Sequence, residues 1–238
     1  ISAYFTPNFS IFSIFFFYKF FLFYKLKKET FIIILINLIL ASPAIYFIIS
    51  KDYYLFNSTI STIDNYIKYN LSNKIIIISS MFFLFFLPFI QAKKLINQIT
   101  KAFKIDNTFF ILLLFICINL YYYNFNLGPS NSGGGIFYHL SNLLFNNSLI
   151  LFFVFFIFVY LLKYLNLYNF NNIFLFVILV FYNLQFTIYY KYFDPLIFFI
   201  LLFMIKFDNL KIIERSKKYY LFYLIFLTLN FSKQFLTY

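Results

Sequence analysis

Residues 148–165 read SLILFFVFFIFVYLLKYL, an uninterrupted apolar run broken only by Lys163 near its end. A run of this length and character matches a helix that crosses the hydrocarbon core of a bilayer, which takes about 20 apolar residues, with a range of roughly 17–25. Working outward from it, comparable runs occur at Asn8–Tyr24, Phe31–Ser50, Ile75–Ala92, Thr108–Tyr123 and Asn172–Tyr189. Two shorter ones, Pro195–Phe207 and Tyr219–Phe231, read as tilted spans, as helices in a thinner region or as re-entrant segments. Pro43 and Pro88 fall inside runs, where a kink is tolerated if neighbours satisfy the carbonyl that proline leaves free. The expected fold is all-α: a polytopic transmembrane helix bundle of six to eight spans.

Composition agrees. The chain is 63% hydrophobic and 11% charged, with mean hydropathy +0.86, whereas soluble domains are about 45–50% apolar and about 25% charged. Phe (43) and Tyr (23) dominate, Trp is absent, and the basic residues are lysines apart from Arg215. Phe, Tyr, Ile, Asn and Lys share AT-rich codons, so this bias reads as that of an AT-rich genome rather than as a special aromatic function. No stretch reads as a soluble domain, and residues 1–238 are expected to form a single membrane domain. Because the chain opens on Ile1, it reads either as whole or as shortened at its N-terminus.

The net charge of +12 does not point to nucleic acid, which requires basic residues gathered on one soluble face. Here the lysines lie in short connections between apolar runs, the pattern that encodes membrane topology. Connections on one side carry 13 Lys and Arg and those on the other 5. The richer side faces the cytoplasm by the positive-inside rule, so the N-terminus is expected outside. Segments 51–74, 124–147 and 184–194 then share the outer face of an inner or plasma membrane, or its equivalent, and the cell envelope is the expected location. Lys19, the one charge inside a run, is expected to snorkel to the nearer surface.

Several chemistries are excluded. Cys117 is the only cysteine and His139 the only histidine, so neither an internal disulfide nor a Cys- or His-based metal site can form. Cys117 itself reads as a buried spacer. No run carries an acid near its centre, which argues against ion-coupled transport. Asp52 and Asp64 fall in an outer connection, and Glu29, Asp106, Asp208 and Glu214 in basic cytoplasmic ones, where they balance charge. No cofactor is expected.

Two outer segments stand out. All four glycines fall within Gly128–Gly135, and Gly133, Gly134 and Gly135 lead into an amphipathic stretch from Ile136 to Phe145. This reads as a loop opening a short interfacial helix, whose exposed N–H groups suit a phosphate or carboxylate. A flexible turn between two spans is the competing reading. His139, near the first turn, can hydrogen-bond or protonate an anion, or can simply be solvated. The second segment is Tyr189-Tyr190-Lys191-Tyr192-Phe193-Asp194-Pro195. There Asp194 suits an N-cap and Pro195 a first helical turn, while Lys191 sits among aromatics where it can snorkel or meet a lipid phosphate.

These two segments, Gly133–Ser141 and Tyr190–Leu196, resemble the C-terminal part of multi-spanning glycosyltransferases that use polyprenyl-phosphate sugars, in particular the dolichyl-phosphate-glucose α-1,2-glucosyltransferase family. The resemblance covers about Leu127–Phe207 and rests on short motifs. It implies transfer of a sugar from a polyprenyl-phosphate donor on the outer face. Gly133, Gly134, Gly135, His139 and Lys191 would then meet the donor phosphate. Tyr190, Tyr192 and Asp194 would complete the substrate site, the tyrosines lining the sugar or lipid path. Such enzymes carry a catalytic acid in the first outer loop; this chain has no acid before Glu29, so the catalytic residue is unassigned. The alternatives are a non-catalytic subunit of a membrane complex, or a flippase or transporter of a lipid-linked glycan.

Overall fold

The computed structural model describes residues 11–25, 27–50, 71–86, 106–126, 133–164, 167–182, 188, 193, 196–197, 200, 204–206 and 224. Among them there are helices and no strand: α1 (Phe12–Tyr24), α2 (Lys28–Ser50), α3 (Leu71–Phe86), α4 (Asn107–Tyr121), α5 (Gly135–Phe145), α6 (Leu149–Tyr164) and α7 (Phe170–Tyr182). The all-α expectation therefore holds. None of the described helices is long and apolar enough to cross a membrane. The longer runs Ile75–Ala92 and Asn172–Tyr189 continue past the described ends of α3 and α7, and most of Pro195–Phe207 and Tyr219–Phe231 lies outside the described residues.

Three helix pairs run antiparallel, as side chains at their ends show. Asn73 at the start of α3 bonds Asn124, just past the end of α4. Asp106 at the start of α4 meets Lys163 at the end of α6. Phe12 near the start of α1 packs on Tyr182 at the end of α7, and Tyr18 further along α1 packs on Phe170 at the start of α7. The core between them is aromatic and aliphatic, with Phe82 and Phe86 of α3 against Phe158 of α6.

The buried set is mostly apolar but takes in several polar side chains, and many large apolar side chains lie outside it. Asn73, Lys74, Ser79, Ser80, Asn119, Ser141, Asn171 and Asn172 are buried. Leu, Ile and Phe side chains of α1, α2, α4 and α5 face outward instead, as far as 81% exposure for Phe23 and Leu143. Cys117, expected as a buried spacer, is also exposed, on the outward side of α4 between Ile116 and Ile118. The periodicity of a uniformly apolar helix does not say which face meets its neighbours, and packing turned this one outward.

Pro43 lies inside α2. Its ring nitrogen cannot donate to the carbonyl four residues back, and that carbonyl, Ile39 O, instead accepts from Ser42 Oγ at 2.7 Å. Pro88 lies outside the described residues. Lys19 does not snorkel towards the nearer end of α1. Its Nζ lies 5.1 Å from the centroid of the Phe15 ring and 6.0 Å from that of Tyr18. Helical side chains lean towards the N-terminus, and the Phe15 face, one turn back, receives the ammonium.

Candidate functional site

Gly133, Gly134 and Gly135 have φ values of 149°, 83° and 81°. Gly134 is the N-cap of α5 in the left-handed region, where an L side chain is strained. A Cβ there would come within 2.5 Å of Tyr138 Cδ1 and 3.0 Å of Phe125 Cε1. Glycine is thus needed twice, for the backbone angle and for the close approach of two rings that themselves meet edge to face at 5.1 Å. All three glycines are buried. The N–H of Gly134 donates to Ile188 O at 2.9 Å, so this amide is taken within the protein rather than presented to a ligand.

That hydrogen bond ties the glycine turn to the residue just before the second segment singled out in the sequence. Ile188 is buried and precedes Tyr190-Lys191-Tyr192 by two residues, and Phe193 beyond them is buried against Tyr182, with ring centroids 5.9 Å apart. Tyr190, Lys191, Tyr192 and Asp194 themselves lie outside the described residues. His139 is exposed on α5, its ring 5.5 Å from that of Tyr138, which is buried. The imidazole therefore lies on the outward side of the helix whose inner side holds the glycine turn.

The amphipathic stretch after the glycines is a helix, α5, but with its polar residue inward. Ser141 is fully buried, and its Oγ accepts from the backbone N–H of Ile150 at 2.9 Å, satisfying one of the orphan donors at the start of α6. Ile136, Leu140, Leu143, Leu144 and Phe145 are exposed. The Ser148 and Tyr123 hydroxyls, 3.4 Å apart, close the base of the 124–147 connection. Phe137 packs on Phe83 at 6.0 Å, twelve residues along α3 from Leu71. The connection thus leaves one end of the bundle, its glycine turn packs within it, and α5 returns to that end.

Lys74 belongs to this same end and was counted in the sequence only as a charge of an outer connection. It sits in the first turn of α3, next to the Asn73–Asn124 pair, with 3% of its surface exposed. The signal was present: Leu71-Ser-Asn-Lys continues the helix that the run from Ile75 announces. At the opposite end, Asp106 caps α4 by accepting from Phe109 N at 2.8 Å, and it pairs with Lys163 at 2.7 Å. The hydrogen bond from Lys163, then those from Thr108 and Phe109, hold its carboxyl well below the usual carboxylate range. Among the described residues, no group of three His, Cys, Asp or Glu side chains can hold a metal ion.

No protein-family model matches this chain, and comparison with curated proteins and with solved structures gives no match.

Proposed function

We propose that the chain is an integral membrane glycosyltransferase, or a piece of one, that moves a sugar from a polyprenyl-phosphate donor on the outer face. Its membrane character is supported by the exposed apolar surface: Leu, Ile and Phe side chains of α1, α2, α4 and α5 face outward, while Asn, Ser and Lys side chains are found among the buried residues. In water such a surface would aggregate; in hydrocarbon it costs nothing, and buried polar groups then pair across helices. The orientation given by the lysine count, N-terminus outside, requires the start of α3, the end of α4, the glycine turn and the end of α7 to share one end. Asn73–Asn124 and Gly134–Ile188 are contacts of that kind.

The observation that carries the donor-site reading is the Gly134–Ile188 hydrogen bond, which brings the glycine turn to within three residues of Lys191 along the chain. A buried cation, Lys74, belongs to the same end. Ionisable side chains inside membrane proteins mark functional paths more often than not. In this reading Lys191 meets the donor phosphate, Tyr190, Tyr192 and Asp194 line the sugar or lipid path, and His139 stands at the rim, while the catalytic residue is unassigned.

A second reading is favoured by one specific observation. The conformation, the amide and the missing side chain of Gly134 are all accounted for by packing, as they would be in a non-catalytic subunit of a membrane complex. The two readings separate in one experiment: the chain reconstituted in liposomes with a panel of radiolabelled polyprenyl-phosphate sugars. Retention of donor and release of polyprenyl phosphate by the wild type, with both lost in Lys191→Ala, is the expected result. A Lys191→Ala variant with unchanged donor binding and turnover removes Lys191 from the site. No retention of any donor by the wild type leaves the subunit reading.

A further inference from the structure

In α2 the six consecutive residues from Leu35 to Leu40 are all exposed. Six residues make more than one full turn of a helix, which takes about 3.6, so α2 is covered on no side at this level. Nearer its start the helix is held. Thr30 is buried, Ile33 and Ile34 are half-buried, and α1 is the helix on which α2 packs. Past Ile34 the helix stands away from the bundle.

Five of these six exposed residues are apolar and need no partner in hydrocarbon. Asn37 does. Its Nδ2 donates to Ile33 O at 2.8 Å, an intrahelical bond that uses one of its two amide hydrogens. Among the described residues, nothing bonds the second hydrogen or Oδ1. Asn37 comes nine residues after Lys28, about 14 Å along the helix axis. With Lys28 at the cytoplasmic surface, that depth is the middle of a hydrocarbon core about 30 Å thick. An amide left bare at that depth is costly, and an asparagine side chain is too short to reach either surface by snorkelling.

The occupant of this face has to bring one donor and one acceptor to the depth of Asn37 on an otherwise apolar surface. Residues 31–50 carry no charge, so no ion pair selects a different chain here. A second copy of this chain inserts in the same orientation, which sets its own Asn37 at the same depth, and an amide is complementary to itself about a two-fold axis. We infer that α2 pairs with α2 of a second copy about a two-fold axis along the membrane normal, each Asn37 donating its second amide hydrogen to the Oδ1 of the other. Polar side chains of this kind hold helices together within membranes. By helical spacing, Leu40 lies on the Asn37 side of α2 and flanks the pair, whereas Leu35 lies on the opposite side. The pairing rests on the membrane reading and is independent of the sugar-transfer chemistry.

The test uses the full chain in liposomes at decreasing ratios of protein to lipid, with the fraction of dimer read by single-molecule photobleaching. The wild type is expected to be dimeric at high ratio and to dissociate on dilution. Asn37→Leu, a change that an exposed site in lipid accommodates, is expected to weaken the dimer about tenfold through loss of the paired amide bonds. Asn37→Gln keeps a self-complementary amide and is expected to retain most of the affinity. Crosslinking locates the face: in a Cys117→Ser background, Leu40→Cys is expected to form a disulfide between copies and Leu35→Cys is not. Where Asn37→Leu folds poorly, these two cysteine variants decide the matter with Asn37 in place. A wild type that is monomeric at every ratio overturns the inference. So does a dimer that Asn37→Leu leaves at full strength, or one that crosslinks through Leu35→Cys and not through Leu40→Cys. Alkaline carbonate keeps the two failures apart: a chain that carbonate extracts from membranes overturns the membrane reading as well, whereas a monomer that resists extraction overturns the pairing alone.

Discussion

At the scale of single residues, this protein uses polar side chains mainly to satisfy backbone groups. Ser42 gives Ile39 O the donor that Pro43 withholds, and Ser141 gives Ile150 N the acceptor missing at a helix start. A buried carbonyl or N–H left without a partner is costly. Ser42→Ala is therefore expected to destabilise the chain by about 1 kcal/mol, read as a lowered melting temperature in detergent micelles; an unchanged value would mean that Ile39 O finds another donor. Gly134 carries a heavier constraint, since Ala there meets both a φ of 83° and the Tyr138 ring. Gly134→Ala is expected to cost more than about 1 kcal/mol. Gly134→Ala combined with Tyr138→Leu should recover the steric part and leave the backbone part, which a pair of melting curves separates. The glycine run was visible in the sequence, but its burial was not. Three adjacent glycines fit an open phosphate cradle and a tightly packed turn alike, and only the positions of Phe125, Tyr138 and Ile188 distinguish them.

Among the helices, the element with the clearest local logic is α4. Asp106 caps it, and Lys163 at the end of α6 holds the same carboxylate. Because the folded carboxyl titrates below its ordinary 3.8, its contribution to stability is present in full above that value and is lost as pH falls through the depressed folded one. Asp106→Asn keeps the cap, since Asn serves nearly as well at that position, and removes the charge. The melting temperature of the variant should lie below that of the wild type at neutral pH, and the gap should close as the pH falls below about 4. A gap independent of pH would show that the ion pair contributes nothing. High salt should narrow it too, because the pair is exposed. The position of α5 followed directly from the sequence, with its start at the glycines and its end at the asparagines. Its orientation did not. The pattern places Ser141 on a polar side, and a polar side is expected to face water; here Ser141 faces α6 and the leucines face out.

For the whole molecule, the exposed apolar surface makes one native residue into a probe. Cys117 is exposed in the structure and sits among lipid-facing side chains in the proposed arrangement. A charged, membrane-impermeant maleimide should leave it unmodified in intact membranes from either side and modify it after denaturation in dodecyl sulfate. Rapid modification in intact membranes would place α4 against water and sink the spanning arrangement. What the sequence determined by itself was the class of the fold and the order of its helices, because long apolar runs separated by lysine-bearing connections leave a chain few other ways to satisfy its backbone. Only the tertiary structure decided which side of each helix is inside. In runs where nearly every residue is apolar the hydrophobic pattern has no phase, so the choice falls to a few polar contacts and close ring packings. Asn73 on Asn124, Gly134 on Ile188 and Asn172 on Lys206 join residues far apart in the chain, and no reading of local spacing could have paired them.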